Sequence, residues 1–185
     1  MMLSFLNSLV ERVAKGPNQN GTTANGGSFK VPNILTAFLN DGQITELVAA
    51  TGVMSDAKVL DGSAIPRHDW KYKASQFVTM RGTVAFERLS CVVPAAHSTT
   101  TKTYLRILLN DAVYPVPSCQ DGPGKSCLLS TYASITSQKL AAAGNLRSRC
   151  NITATVAAAN GNGTSGKGAS FFGDLGSAWL GSVVP

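Results

Sequence analysis

Asp41 is the residue of this 185-residue chain whose type and position best suit acid–base chemistry. It follows the mostly apolar run Val31–Leu39, which is typical of a buried strand, and it precedes a segment with helical spacing. Active sites of open α/β sheets commonly lie where a strand ends and a helix begins. The local pattern alone favours a carboxylate that caps the helix over an acid catalyst, and both interpretations stay open.

Other polar side chains offer weaker candidates. The triplet Arg67-His68-Asp69 could pair a histidine with a carboxylate, but neighbours in sequence rarely face one another, and we expect a solvated loop. His97 lies among Ala, Ser and Thr and is expected to be exposed, and Asn110-Asp111 suits a turn. The sequence contains no phosphate-binding P-loop and no Gly-x-Ser-x-Gly elbow.

The four cysteines do not form a metal-binding pattern. No Cys-x-x-Cys pair is present and both histidines are distant in sequence, so we expect no zinc site. Cys119 and Cys127 bracket a Gly-Pro-Gly loop and could close a short disulfide.

The charge balance limits the choice of partners. Lys and Arg total 16 against 10 acidic residues, giving a net charge of +6, but the basic residues are scattered. A nucleic-acid binder would cluster them, so we expect no nucleic acid, whereas a mild positive field favours a small anionic substrate such as a phosphate. No apolar run approaches the 18 residues of a spanning helix, and we expect no membrane span.

Three Asn-x-Ser/Thr sequons, at Asn20, Asn151 and Asn162, lie in loop-like segments where a glycan would be tolerated. Together with the local cysteine pair they indicate a secreted protein. Met1–Val10 nevertheless lacks the basic start and the small-residue cleavage site of a signal peptide, which predicts an incomplete N-terminus.

The periodicity divides the chain into a globular part, residues 1–150, and a tail rich in Gly, Asn and Ser, residues 151–185. The first part is expected to begin with a helix over 1–15, a polar loop over 16–29 and a strand over Val31–Leu39. A helix should follow, opened by a capping box of Asn40 and Gln43 and ended by Gly52, and then an irregular stretch over 53–73. The last elements expected are a strand around Val84 and Phe86, a hairpin turn at Asn110-Asp111, and a helix from Leu129 ended by Gly144.

Several segments resemble fungal histidine acid phosphatases and their phytase relatives. The run from Tyr104 to Cys119, Tyr-Leu-Arg-Ile-Leu-Leu-Asn-Asp-Ala-Val-Tyr-Pro-Val-Pro-Ser-Cys, is similar to that family's strand, hairpin and cysteine near the C-terminus. The continuation to Cys127 and the segment Phe86–Cys91 also fit, and Phe38–Asp41 occupies the place of the family's His-Asp motif. The resemblance spans about residues 31–150 in consistent order.

The resemblance implies a mechanism for phosphate monoester hydrolysis at acid pH. In the family, a histidine of an Arg-His-Gly-x-Arg-x-Pro motif attacks phosphorus and forms a phosphohistidine, arginines hold the phosphoryl oxygens, and water later releases phosphate. The aspartate of His-Asp protonates the leaving alcohol, a role that Asp41 takes by position. The substrate would be a small phosphate monoester, and no metal or other cofactor would be required.

Two departures separate this sequence from the family pattern. Asn40 stands in place of the His of His-Asp, and an amide side chain cannot carry a positive charge. The Arg-His-Gly motif is absent, because Arg67-His68 lacks the following Gly and lies downstream of the acid, so no nucleophile is found. The chain therefore resembles the C-terminal part of a family member and is expected to be inactive alone.

By resemblance, Cys119 and Cys127 form a disulfide, while Cys91 and Cys150 would have partners in upstream sequence that this chain lacks. The implied fold is α/β, a partial phosphoglycerate-mutase-like sheet flanked by helices, with some sheet edge and core surface exposed. The implied location is secreted or cell wall.

Two alternatives from other classes stay open. One is a non-catalytic secreted or cell-surface module derived from a phosphatase, which Asn40 and the absent nucleophile motif favour. The other is a lipid-anchored surface protein, because Ser165–Val184 weakly resembles an anchor signal.

Overall fold

The computed structural model describes residues 2–22, 27–56, 58, 61–63, 69–95 and 98–144. This part of the chain combines helices with antiparallel sheets that the helices flank, which confirms the predicted α/β class. The elements are α1 (Met2–Lys15), β1 (Asn20–Thr22), β2 (Ser28–Lys30), α2 (Asp41–Thr51), β3 (Val84–Ala95), β4 (Ser98–Leu109), β5 (Ala112–Tyr114), β6 (Cys127–Leu128) and α3 (Leu129–Ala143), with short 3₁₀ turns at Ala74–Gln76 and Pro123–Lys125.

The main sheet is built on the long hairpin of β3 and β4. These strands pair antiparallel in a continuous register from Val84 opposite Leu109 to Ala95 opposite Ser98. The order is β3-β4-β5, and β6 also pairs with β4: β5 lies opposite residues 107–109 and β6 opposite Tyr104 and Leu105. Strand β3 is therefore an edge strand within the described part of the chain.

The predicted hairpin turn at Asn110-Asp111 is confirmed. Both residues have positive φ, 47° and 66°, the combination that a type I′ turn requires. The Asn110 side chain accepts a hydrogen bond from the Thr83 backbone N–H at 2.9 Å and donates to the Gln76 carbonyl at 3.3 Å. An Asn at this position thus closes the turn and ties it to the preceding loop.

The core lies between one face of this sheet and the helices. Leu105, Ile107 and Leu109 alternate along β4 and are buried together with Leu6, Val10 and Tyr132 of the helices. The predicted helices over 1–15 and from Leu129 are confirmed, because their apolar spacing matches these buried faces.

The predicted strand over Val31–Leu39 is wrong. Val31 is buried, and its N–H donates to the Gln19 carbonyl at 2.8 Å, but the rest of the run pairs with no described strand. Ile34 and Phe38 are 81% and 98% exposed. An apolar run forms a strand only when its backbone N–H and C=O groups pair with a neighbouring strand. The residues of the run do not reveal whether such a strand is present.

The segment over 16–29 also departs from the polar loop that was expected. Its described residues include β1, which pairs antiparallel with β2, with Asn20 opposite Lys30 and Thr22 opposite Ser28. Residues with low strand propensity can form such a short ribbon because the backbone pairs supply the hydrogen bonds.

The expected disulfide between Cys119 and Cys127 is present, with the two Cα atoms 5.1 Å apart. Both cysteines are buried. The Asp121 carboxylate lies inside this loop and accepts a hydrogen bond from the Leu128 N–H at 2.9 Å. Because the two sulfurs are bonded to each other, they are not available as thiolate ligands for a metal. Cys91, half-buried on β3, is the one free cysteine among the described residues.

Candidate functional site

The N-terminus of α2 is organised by a capping box, as the spacing of Asn40 and Gln43 predicts. The Asn40 Oδ1 accepts a hydrogen bond from the Gln43 N–H at 2.8 Å, and the Gln43 Oε1 accepts one from the Asn40 N–H at 3.1 Å. Gly52 ends the helix with a left-handed φ of 81°. Both ends of the helix are therefore specified by local sequence.

Asp41 is the first residue of this helix, and its side chain is exposed. Its Oδ1 accepts a hydrogen bond from the Gly42 N–H at 2.8 Å, and its carbonyl accepts one from the Thr45 hydroxyl at 2.8 Å. The carboxyl group thus lies at the positive end of the helix dipole with one oxygen held by the backbone. It is accessible to a ligand, as a group that exchanges a proton with substrate must be.

The chain before the helix presents apolar side chains to solvent. Ile34 and Phe38 are almost fully exposed, and Leu35 is partly exposed. This agrees with the expectation that core surface is left uncovered, and it places Asp41 at the end of an exposed apolar segment.

Helix α2 is fixed to the rest of the fold through its C-terminal half. Leu47, Val48 and Thr51 are buried. The Tyr132 hydroxyl of α3 donates to the Thr51 carbonyl at 3.2 Å, and the Lys139 ammonium reaches the Ala50 carbonyl at 3.4 Å. A cation beside free carbonyls at a helix C-terminus is stabilising.

Burial affects the ionisation of both α3 side chains. It raises the pKa of the Tyr132 hydroxyl and lowers the pKa of the Lys139 amine, because each charged form is poorly solvated there. The sequence predicted the helix from Leu129 to which both residues belong, but it singled out neither of them.

The first turns of α2 are held from the other side by a loop. The Tyr72 hydroxyl donates to the Thr45 carbonyl at 2.9 Å, and its ring packs edge-on against Phe77 with the ring centroids 5.4 Å apart. The Asp56 carboxylate accepts hydrogen bonds from the backbone N–H groups of Lys71 and Tyr72. Partial burial raises the pKa of Tyr72. The sequence did not predict that Tyr72 contacts α2. The only sign of such a role was the presence of an aromatic residue in a polar stretch.

Several candidate residues lie outside the described part of the chain. They are Arg67, His68, His97, Cys150, Asn151 and Asn162, together with the tail over 151–185. Asn20, the sequon residue that is described, is exposed on β1. None of the described helices is long and apolar enough to cross a membrane.

Loss of the Asn40 side chain should measurably weaken the fold. Asn40→Ala removes the acceptor for the Gln43 N–H, and we expect the free energy of unfolding to fall by about 1 kcal/mol. Urea denaturation measures this change. Asn40→Asp, which keeps an acceptor at the cap, should stay near the parent value, and an Asn40→Ala variant as stable as the parent would show that the cap contributes nothing.

Comparison with known proteins gives a consistent group of relatives. The chain is 28% identical to the Probable acid phosphatase DIA3 of Saccharomyces cerevisiae over 104 residues, which is 56% of this chain and 20% of that protein. It is 26% identical to Phytase PHO112 of Candida albicans over 151 residues, 82% of this chain and 28% of the relative. Phytase A of Arthroderma benhamiae is 30% identical over 127 residues, 63% of this chain and 27% of the relative. No family model matches the sequence.

These findings confirm the resemblance to fungal acid phosphatases and phytases over part of the chain. The chain spans between a fifth and a third of the length of these relatives, since the shares are 20%, 28% and 27%.

Proposed function

We propose that this chain forms part of a histidine acid phosphatase that hydrolyses phosphate monoesters, and that Asp41 donates the proton to the leaving alcohol. The observation that carries the proposal is the agreement of several acid phosphatase and phytase relatives, whose matches cover 56%, 63% and 82% of this chain. The accessible carboxyl group at the start of α2 supports the role of Asp41.

A proton donor is valuable in this reaction because an alkoxide is a poor leaving group. General acids that protonate a leaving oxygen typically contribute about 10²–10⁴-fold to the rate. In the proposed reaction the bond between phosphorus and the ester oxygen breaks as a histidine nitrogen attacks phosphorus, and the Asp41 proton passes to the departing oxygen. Water then releases phosphate from the phosphohistidine.

Asn40 changes the charge that the proposed site presents to a bound phosphate. Its side-chain oxygen is engaged by the Gln43 N–H, so the residue acts as the helix cap. A neutral amide supplies no positive charge to a bound phosphate, in contrast to a protonated histidine at that position in the family. We infer that Asn40 preserves the helix on which Asp41 lies while weakening the attraction for the phosphoryl group.

The nucleophile motif Arg-His-Gly-x-Arg-x-Pro does not occur in the printed sequence. The 185-residue chain is therefore a partial site, with the nucleophile and the phosphate-binding arginines to be supplied by further sequence. The sequons and the disulfide support a secreted or cell-wall location for the complete protein.

A non-catalytic module derived from a phosphatase is the second candidate. Asn40 in the place of the family histidine favours it, because this change removes a charge that binding of phosphate would use. The exposed side chains of Ile34 and Phe38 would then contribute to an interaction surface.

Sequence upstream of Met1 separates the candidates, and an activity assay tests whether these 185 residues hold a complete site. Purified 185-residue chain should show no hydrolysis of p-nitrophenyl phosphate at acid pH, and sequencing of the 5′ end of the transcript should reveal an in-frame Arg-His-Gly-x-Arg-x-Pro before Met1. A transcript without that motif would support the non-catalytic module. Clear hydrolysis that Asp41→Asn abolishes would contradict the partial site and place a nucleophile within these 185 residues.

A further inference from the structure

The two halves of α2 are held in different ways. Its C-terminal half is buried through Leu47, Val48 and Thr51. Asp41, at the start of the helix, is exposed. The ends of helices fray readily, and the capping box satisfies local N–H groups without attaching the first turn to another element. The position of the Asp41 carboxyl group therefore depends on what secures the N-terminal half of the helix.

Tyr72 attaches this half to the rest of the fold. Its hydroxyl donates to the Thr45 carbonyl at 2.9 Å, across 27 residues of sequence. The Thr45 hydroxyl in turn donates to the Asp41 carbonyl at 2.8 Å. Residues four apart lie one above the other on the same face of a helix. A group that holds Thr45 therefore also holds the turn that carries Asp41.

The loop that carries Tyr72 is itself held at two points. Both oxygens of the Asp56 carboxylate accept backbone N–H groups, from Lys71 at 2.9 Å and from Tyr72 at 3.2 Å. The ring of Tyr72 packs edge-on against Phe77, which is 1% exposed. The backbone and the ring of Tyr72 are thus both supported, so its hydroxyl offers the helix a fixed point of attachment.

We propose that Tyr72 is a positioning residue for the general acid. Its bond to Thr45 holds the first turn of α2 so that the Asp41 carboxyl group reaches the leaving oxygen, and Tyr72 itself touches no substrate. This role depends on the proposed function of Asp41, and it belongs to a residue that the sequence did not single out.

The position of the acid affects the rate because a proton passes only between groups within hydrogen-bond reach, about 2.6–3.2 Å. A misplacement of about 1 Å can lower a rate by about 10²-fold. Loss of one hydrogen bond shifts an equilibrium by about 2- to 10-fold. Without the Tyr72 hydroxyl, the first turn should therefore spend more time in positions from which Asp41 does not reach the substrate. The loss should fall on substrates whose leaving group needs a proton.

The kinetic test uses a chimera with a complete active site, in which the aligned 151-residue segment of Phytase PHO112 is replaced by that of this chain. Tyr72→Phe removes only the hydroxyl. We expect kcat to fall by about 3- to 10-fold for glycerol 2-phosphate and by less than about twofold for 2,4-dinitrophenyl phosphate, whose phenolate leaves unaided. Tyr114→Phe, which removes the hydroxyl of a half-buried tyrosine on β5, is the matched control and should leave both values unchanged.

A double variant separates positioning of the acid from general support of the fold. In an Asp41→Asn background no proton remains to be positioned, so Tyr72→Phe should not lower kcat for glycerol 2-phosphate further. A purely structural role would lower kcat by the same factor in both backgrounds and for both substrates. That result, in a chimera where Asp41→Asn alone affects only glycerol 2-phosphate, would overturn the role of Tyr72 and leave the proton donor in place. Asp41→Asn with equal effects on both substrates would overturn the two proposals together.

Amide hydrogen exchange of the 185-residue chain tests the attachment without catalysis. In Tyr72→Phe the amides of residues 43–45 should exchange about 3- to 10-fold faster, while those near Thr51 in the buried half keep their protection. Tyr114→Phe should show the parent rates at both ends of the helix. Unchanged exchange at residues 43–45 in Tyr72→Phe would overturn the proposal, and so would an equal acceleration at every amide, because neither result is a local release of the first turn.

Discussion

Replacement of Tyr132 by alanine is expected to remove most of the stability of the described domain. Tyr132 is fully buried at 0% exposure and is the largest of the fully buried side chains. Its ring lies in the core with Leu105 and Ile107, and its hydroxyl donates to the Thr51 carbonyl. Truncation of a buried aromatic costs about 3–5 kcal/mol, a large share of a typical domain stability of about 5–15 kcal/mol. Urea denaturation followed by circular dichroism measures the loss.

Tyr132→Phe is the matched control, because it keeps the ring and removes only the hydroxyl. We expect it to cost about 1–2 kcal/mol, since the buried Thr51 carbonyl loses its donor. A Tyr132→Ala variant within about 1 kcal/mol of Tyr132→Phe would show that ring packing contributes little, and it would contradict this description of the core.

The two variants should also differ from the parent in alkaline solution. Burial raises the folded-state pKa of Tyr132, so the folded chain retains a proton that the unfolded chain loses above about pH 10. The contribution of the buried Tyr132 hydroxyl to stability is therefore fully present below about pH 10 and is lost as the pH rises further. In Tyr132→Phe the part of this fall that comes from Tyr132 should disappear.

Substitution of Asp41 by asparagine is expected to have the largest effect on activity. The test requires a complete active site, which a chimera supplies when the aligned 151-residue segment of Phytase PHO112 is replaced by that of this chain. In the chimera, Asp41→Asn should lower kcat for an alkyl phosphate by about 10²–10⁴-fold, because the leaving alkoxide is no longer protonated. Steady-state kinetics with glycerol 2-phosphate measures this loss.

Glu46→Gln is the control for Asp41→Asn. Glu46 is an exposed acid on the same helix, and its neutralisation should leave kcat unchanged. An equal decrease of kcat in the two variants would mean that the net negative charge of α2, and not a proton on Asp41, determines the rate.

The elements predicted correctly are those that local sequence specifies. The α2 helix depends on a capping box within four residues and on Gly52, and the β4–β5 turn depends on two adjacent residues that tolerate positive φ. Asp41 could be placed at the start of a helix for the same reason. Each of these features is determined by residues that lie close to one another in the sequence.

The features that the sequence did not predict depend on partners far along the chain. The apolar pattern of Val31–Leu39 suits a strand, but no described strand pairs with it, and Ile34 and Phe38 are exposed. Tyr132 bonds to Thr51 across 81 residues, and Tyr72 bonds to Thr45 across 27. A single sequence contains no signal for such pairs, because periodicity reports which face is buried and not which group covers it.

The most direct measurement of the central proposal compares two leaving groups in the same chimera. Protonation by Asp41 should matter greatly for glycerol 2-phosphate, whose alkoxide is a poor leaving group, and little for 2,4-dinitrophenyl phosphate, whose phenolate leaves unaided. We predict that Asp41→Asn lowers kcat by about 10²–10⁴-fold for the first substrate and by less than about tenfold for the second. Equal losses for both substrates would contradict the assignment of Asp41 as the proton donor.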